Sequence, residues 1–343
     1  MIPAHSLLSL AISCRFLREI IIPHFLFHRV AFRSRPAAVV SFYGCTRKPA
    51  VCHVVRHLTI SIEAFDNLSH AYRLFTLTVD IMKNLPNLRS ANLIDLENAH
   101  SFEWRIAHTL VALPHLRHLL ISNCYPDTLE QISALTSLQS LTISISANAP
   151  SHSQGFPVEN LLINSRATLE DIHLSNAELD FSLLTWKPSA TQPRLVWPHV
   201  HTLRLIDVLP GLNLDLARPF PSVDDFASSD LAWDNFPNRP FIARLRSFEG
   251  TWEGLGLVKA TNTALCRAVV HDVLDIQACL HDWKQCLPPN LRSFRAKFRG
   301  ESLLGFLGEL GKAVPRLTYL DVDITLTSPG FSKLEQLSSN VSC

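Results

Sequence analysis

One phrase keeps returning along this chain, and it constrains the fold more than any other feature. Residues 85–93 read LPNLRSANL, and variants follow as LPHLRHLLI (113–121), LTSLQSLTI (135–143), RATLEDIHL (166–174) and WPHVHTLRL (197–205). IARLRSFEG (242–250), PPNLRSFRA (288–296) and VPRLTYLDV (314–322) continue the series, and VCHVVRHLTI (51–60) is a weaker early copy. Each holds an apolar-x-x-apolar-x-apolar core, with Gly250 and Ala296 filling the last place poorly. Alternation sends every second side chain of a strand to one face, so these cores read as short strands with one buried side. A single unit cannot bury its own apolar face, whereas a stack of them can.

The first apolar residues of the nine cores are Val55, Leu88, Leu116, Leu138, Leu169, Val200, Leu245, Leu291 and Leu317, separated by 33, 28, 22, 31, 31, 45, 46 and 26 residues. Most intervals suit one strand plus a helical or irregular return, the connection that lets successive strands pair in parallel. The interval of 46 points to a degenerate unit around RAVVHDVLDI (267–276). Residues 51–325 thus resemble the leucine-rich repeat family in its irregular form, without a dependable Asn after each strand. The resemblance implies an α/β solenoid of parallel strands with helical or irregular returns. The Pro- and Asp-rich stretch 206–241 interrupts the series, either as a protruding insertion or as an eroded repeat with long turns. Residues 36–50 read as a linker and 326–343 as a C-terminal cap or tail.

Composition narrows the function classes. A chain of 343 residues with 47% hydrophobic content can bury a large core, and its formal charge of +1 gives no support to nucleic-acid binding. Charge is uneven, however: residues 1–62 carry eight Arg and Lys against one acid, Glu19. The eight cysteines, at 14, 45, 52, 124, 266, 279, 286 and 343, form no CxxC pair and read as reduced thiols of a cytoplasmic or nuclear protein. No nucleophile elbow, zinc-binding HExxH helix or dinucleotide fingerprint occurs, so neither an enzyme nor a cofactor is expected. GFLGELGK (305–312) misses the phosphate-loop spacing by one residue and has Ala313 where Ser or Thr must stand. It reads instead as a helix whose small residues at spacing three let it approach a neighbouring layer. The pairs His24/His28 and His53/His57 have helical i, i+4 spacing, but the second runs into a strand, and no metal is expected.

If the apolar positions face the core, the residues between them form the opposite, concave surface. That set is polar and mixed in sign, and its candidates for binding a protein substrate are His118, Asp171, His173, Arg204, Glu249, Arg295, Tyr319 and Asp321.

The opening stretch LLSLAISCRFLREIIIPHFLFHRVAF (7–32) is greasy yet studded with Arg15, Arg18 and Arg29. These charges, with Glu19 and Pro23, break the run of about 20 apolar residues that a membrane span needs. An Arg-bearing, acid-poor segment also has the composition of a mitochondrial leader ending near Arg35. Residue by residue, the stretch resembles the second half of the F-box domain of fungal F-box proteins. Leu7, Leu8, Leu10, Ala11, Cys14, Arg15, Arg18, Ile20, Ile22, Pro23, Phe25, Leu26, Phe27, Val30 and Phe32 fall on matching places without a gap. Residues 1–35 are then a partial F-box-like helical segment, beginning after the LPxE helix with which such domains open.

This resemblance implies a non-catalytic substrate-recognition subunit of a Skp–cullin–F-box ubiquitin ligase. Leu7, Leu8, Leu10, Cys14, Phe16, Leu17 and Pro23 would contact the Skp adaptor, and the repeat surface would hold a protein for ubiquitination by other subunits of the cullin complex. Neither nucleic acid nor membrane is expected as a partner. The alternative is a protein-binding repeat scaffold without a ligase connection, its degenerate F-box capping the first repeat.

Overall fold

The computed structural model describes residues 4–32, 36–61, 68–97, 103–146, 157–177, 195–208, 215–229, 238–262, 264–276, 286–300 and 303–325. The C-terminal stretch 326–343 therefore lies outside the described residues. The chain divides into two compact units, Met1–Ala177 and Glu178–Cys343. Each is a parallel α/β repeat solenoid.

In the first unit, helices α1 (Ala4–Ser13) and α2 (Arg15–Ile21) and a π-turn (Ile22–Leu26) lead into strand β1 (Arg29–Phe32). Strands β2 (His57–Ser61), β3 (Ser90–Ile94), β4 (His118–Cys124), β5 (Ser140–Ile145) and β6 (Asp171–Ser175) follow, each pairing in parallel with its predecessor. Between them run α3 (Pro36–Cys45), α4 (Pro49–Cys52), α5 (Leu68–Lys83), α6 (Arg105–Val111), α7 (Pro126–Ile132) and α8 (Pro157–Asn164). The second unit repeats the plan with β7 (Thr202–Ile206), β8 (Asp225–Ser228), β9 (Ser247–Gly250), β10 (Arg267–Asp275), β11 (Ser293–Arg299) and β12 (Tyr319–Thr325). Its helices are α9 (Arg239–Ala243), α10 (Trp252–Thr261) and α11 (Leu303–Ala313).

The repeated apolar positions make continuous buried columns. Val55, Leu88, Leu138 and Leu169 are wholly buried, and Leu116 nearly so. Within the strands, Leu58, Ala91, Leu119, Leu141 and Ile172 form one internal row and Ile60, Leu93, Ile121, Ile143 and Leu174 the next. Each fully buried Leu or Ile contributes roughly 1.5–3 kcal/mol relative to exposure, so these columns are the main stabilising term of the unit. A ladder of backbone bonds runs along the entry to the strands: the Arg56 N–H donates to His28 O, Arg89 to Arg56, Arg117 to Arg89, Gln139 to Arg117 and Glu170 to Gln139, at 2.7–3.0 Å.

Three strands fall where no clear copy stands in the sequence, or outside the repeats as read from it. Strand β10 occupies the degenerate unit at 267–276, and β8 lies inside the stretch 206–241, paired with both β7 and β9. The described part of that stretch thus supplies a repeat, FPSVDDFAS (220–228), in which Val223 and Phe226 fill the first two apolar positions of the repeat and are buried. Counting Val223 and Leu265 as first residues divides the intervals of 45 and 46 into 23 and 22, and 20 and 26. Strand β1 belongs to the F-box-like segment, where FHRVAF (27–32) follows the same pattern, and the residues read as a linker form α3 and α4. Helicity at 36–52 follows from burial: Val39, Phe42, Val51 and Cys52 turn inward.

Ser228, Gly250 and Ala296, weak as apolar residues, are matched by large neighbours. Phe226, Phe248, Phe294 and Phe298 are among the largest fully buried side chains, and Phe226 meets Phe241 edge-on at a centroid distance of 5.1 Å. A Cβ on Gly250 would lie 2.6 Å from the Ser228 carbonyl oxygen and 2.8 Å from the Phe248 ring, so glycine there makes room for the aromatic layer. Gly308 and Gly311 of α11 behave otherwise. A Cβ on Gly308 or Gly311 meets nothing within 4 Å, which corrects the expectation that they permit close approach to a neighbouring layer.

The missing asparagine of the repeat is also partly present. Asp95, Asn123, Asn176 and Asp207, at or next to the ends of β3, β4, β6 and β7, have φ of 65°, 53°, 52° and 50°. Asn and Asp tolerate this left-handed conformation better than other side-chain-bearing residues. The turns are tied together: Asn123 Nδ2 donates to Asp95 Oδ1, and the Asp207 N–H donates to Ser229 Oγ at 2.6 Å.

A candidate protein-binding face

Residues between the buried positions of each strand point away from the helices and are half-buried or exposed. Parallel register aligns them into rows across the first unit. One row is Arg29, His57, Ser90, His118, Ser140 and Asp171; the next is Ala31, Thr59, Asn92, Leu120, Thr142 and His173. His118 and Asp171 are exposed, and His173 is half-buried with its Nε2 3.3 Å from Ser175 Oγ.

At the start of these rows positive groups gather. The His28 and His57 rings lie 5.2 Å apart. Burial pushes the pKa of both imidazoles below the ordinary histidine value, and neighbouring positive groups push the same way: Arg56, Arg29 and Arg89 around His28, and His28, Arg29, His118 and Arg89 around His57. Arg56 Nη1 donates to the backbone oxygens of His53 (2.7 Å) and Asn87 (3.4 Å), tying adjacent turns together without a carboxylate.

In the second unit the rows are Thr202, Asp225, Ser247, Arg267, Ser293 and Tyr319, then Arg204, Ala227, Glu249, Val269, Arg295 and Asp321. Here the charged candidates satisfy one another. Arg204 Nη1 reaches Glu249 Oε2 at 2.8 Å, spanning the wholly buried Ala227 of the strand between them. Glu249 Oε1 lies 3.2 Å from His271 Nε2, Asp225 lies 4.0 Å from Arg204, and Arg295 pairs with Asp321 at 3.2 Å. Tyr319 stands out at the end of its row with 58% exposure. The sequence presented Arg204 and Glu249 as members of adjacent repeats. Strand β8 separates them, which bears out the eroded-repeat reading of that stretch, and Val223 with Phe226 at the repeat spacing is its signal in the sequence.

The adaptor-facing candidates lie on α1, α2 and the junctions beside them. Leu8 and Leu10 are each 46% exposed and Phe16 is 68% exposed; Cys14, between the two helices, is exposed, while Leu7 and Leu17 are half-buried. Pro23 falls in the π-turn. Ile12, Ile20 and Phe25 are exposed as well, extending the apolar surface beyond the residues chosen from sequence.

One thiol of the first unit is built into its core. Cys124 is buried at the end of β4, and burial, reinforced by the Glu97 carboxylate, pushes its pKa up to about 12, so it stays a neutral thiol. Glu97 Oε2 accepts from the Tyr125 N–H (3.0 Å) and Thr128 Oγ1 (2.8 Å), anchoring the start of α7 to the preceding repeat. Among the described residues no group of three or more His, Cys, Asp or Glu could hold a metal ion.

The fold and its polar rows define a parallel α/β repeat solenoid with an open, hydrogen-bonding face. No protein-family model matches the chain, and no curated protein does. Among solved structures, the crystal structure of the Rad7 and Elc1 complex in yeast contains a chain that is similar at 15% identity, with a TM-score of 0.40, over 98% of this chain and 93% of that one. Likeness at that level carries no argument about function.

Proposed function

We propose that the chain is a non-catalytic substrate-recognition subunit of a Skp–cullin–F-box ubiquitin ligase. Its N-terminal helices dock on the Skp adaptor, and the open face of the repeats holds a protein substrate. The observation that carries this reading is the coincidence of the F-box-like pattern at 7–32 with surface-exposed Leu8, Leu10, Ile12 and Phe16 on α1 and α2. Large apolar side chains left in water across two adjoining helices are the usual mark of a protein contact. The task of the chain is binding, and ubiquitin transfer belongs to partner subunits.

The test is co-purification of the full chain with a Skp adaptor, alongside Leu8→Asp/Phe16→Asp. Capture by the parent and loss in the double variant support the reading. No capture by the parent refutes it.

A second reading is favoured by strand β1. Arg29–Phe32 of the F-box-like segment pairs with β2 from Arg29↔His57 to Phe32↔Ile60, covering the edge of that strand. Capping an exposed edge is a sufficient structural role for the segment in a protein-binding scaffold with no ligase connection. Adaptor capture separates the two.

A further inference from the structure

The first unit carries a concentration of positive charge that the rest of its face does not share. Arg56 and Arg89 occupy successive rungs at the entry to the strands, Arg29 and His57 stand beside them, and His28 and His118 complete the group. These residues come from four successive strands or the turns before them. Among the described residues, every charged neighbour acting on His28 and His57 is itself basic. Of the five ion pairs that the described residues make on the repeat strands and their entry turns, none involves this group, and the nearest acids on the same rows, Glu170 and Asp171, lie at the entry and start of β6, two strands beyond His118. Arg29, Arg89 and His118 are exposed. Adjacent strands lie about 4.8 Å apart, so four strands span roughly 14 Å. That accommodates about four residues of extended chain at ~3.3 Å each.

We infer that this patch is the docking site for a short acidic segment of the partner protein, its Asp and Glu carboxylates paired with Arg29 and Arg89 and hydrogen-bonded by His57 and His118. The inference rests on the proposed substrate-recognition role and specifies its chemistry. Complementary charge is the argument for the occupant. Arg guanidinium groups hold carboxylates by paired N–H donors, and an imidazole supplies an N–H donor even when neutral. A nucleic-acid strand fits poorly, because its phosphates would continue past the patch onto Glu170 and Asp171, and the whole chain is nearly uncharged.

Fluorescence anisotropy of the full chain tests this, with a fluorescein-labelled peptide carrying four consecutive Asp and Glu residues as probe. Its Asn/Gln counterpart, a phosphoserine peptide and a single-stranded oligonucleotide serve as competitors. The acidic peptide should bind, the Asn/Gln peptide should not, and Arg89→Glu/His118→Glu should weaken binding at least ~10-fold. Lys312→Glu, in the second unit, should leave it unchanged. Binding should also weaken several-fold between about 0.1 and 0.3 M salt. Equal binding of the acidic and Asn/Gln peptides, or an unaffected double variant with native circular dichroism, overturns the inference. So does displacement by the phosphopeptide or oligonucleotide at tenfold lower concentration than the unlabelled acidic peptide. Both substitutions lie outside 7–32, so adaptor capture reads the F-box-like helices independently. Capture without peptide binding sinks this inference alone, and peptide binding without capture sinks the ligase reading alone.

Discussion

Asn262 offers the sharpest test of how successive repeats are joined. It follows α10, is only 2% exposed, and its Nδ2 donates to the carbonyl oxygens of Ile242 in the last turn of α9 (2.9 Å) and Leu245 in the turn before β9 (2.6 Å). Its Oδ1 accepts from the Ala264 N–H at 2.7 Å, so one amide ties the entry of β9 to the entry of β10. Asn262→Leu keeps the volume and removes all three bonds. The Ile242 carbonyl retains the Leu245 N–H at 3.2 Å, so the groups that lose most are the Leu245 carbonyl and the Ala264 N–H. A buried polar group left unsatisfied costs about 1–3 kcal/mol, and the Ala264 N–H lies nearer water. The sum is a destabilisation of about 2–4 kcal/mol, read as a lower urea midpoint at unchanged slope. Asn262→Asp keeps the Ala264 bond but sets a carboxylate oxygen against the Leu245 carbonyl, and at neutral pH it should cost at least as much. A loss below ~0.5 kcal/mol for Asn262→Leu would refute the claim that this amide joins the repeats.

Other perturbations follow from particular contacts. Gly250→Val drives a side chain into the Ser228 carbonyl and the Phe248 ring, and denaturant unfolding should show a loss of about 1–3 kcal/mol or an insoluble chain. Gly308→Ala/Gly311→Ala places methyl groups in open space on α11 and should stabilise by about 0.5–1 kcal/mol per site in the same assay. Arg204→Met should cost no more than about 1 kcal/mol, because the pair with Glu249 is partly exposed and Glu249 keeps His271. Acidification should destabilise the first unit in two stages, followed by thermal melts from pH 8 to 3. His28 and His57 have folded pKa values below the unfolded value of 6.5, so the unfolded state binds protons first and stability falls as pH drops below about 6.5. Glu103, held below its usual range chiefly by the hydrogen bond from Arg105, contributes stability above its unfolded value of 4.5 that is lost as pH falls further.

The part of this protein that its sequence determines by itself is the repeating cross-section. The spacing that puts Leu88 in a turn and Ala91 and Leu93 inside a strand also places Ser90 and Asn92 outside, because a strand alternates with period two whatever its neighbours are. For the same reason the outward positions within each unit, such as His118 and Asp171 in the first and Arg204 and Asp321 in the second, were legible as lying between the buried ones. What only the tertiary structure decides is which of them meet. Strand β8 hides in a Pro- and Asp-rich stretch because Phe226 is backed by Ala227 and Ser228 rather than by a second large apolar residue; it sets Arg204 and Glu249 two strands apart, and the small Ala227 lets their side chains meet over it. Likewise the positive patch joins Arg29, His57, Arg89 and His118, which stand about 30 residues apart in the chain. Local propensity acts over a few residues, while the electrostatics of this face are set by the ~4.8 Å between stacked strands, a distance that exists only once the parallel register has formed.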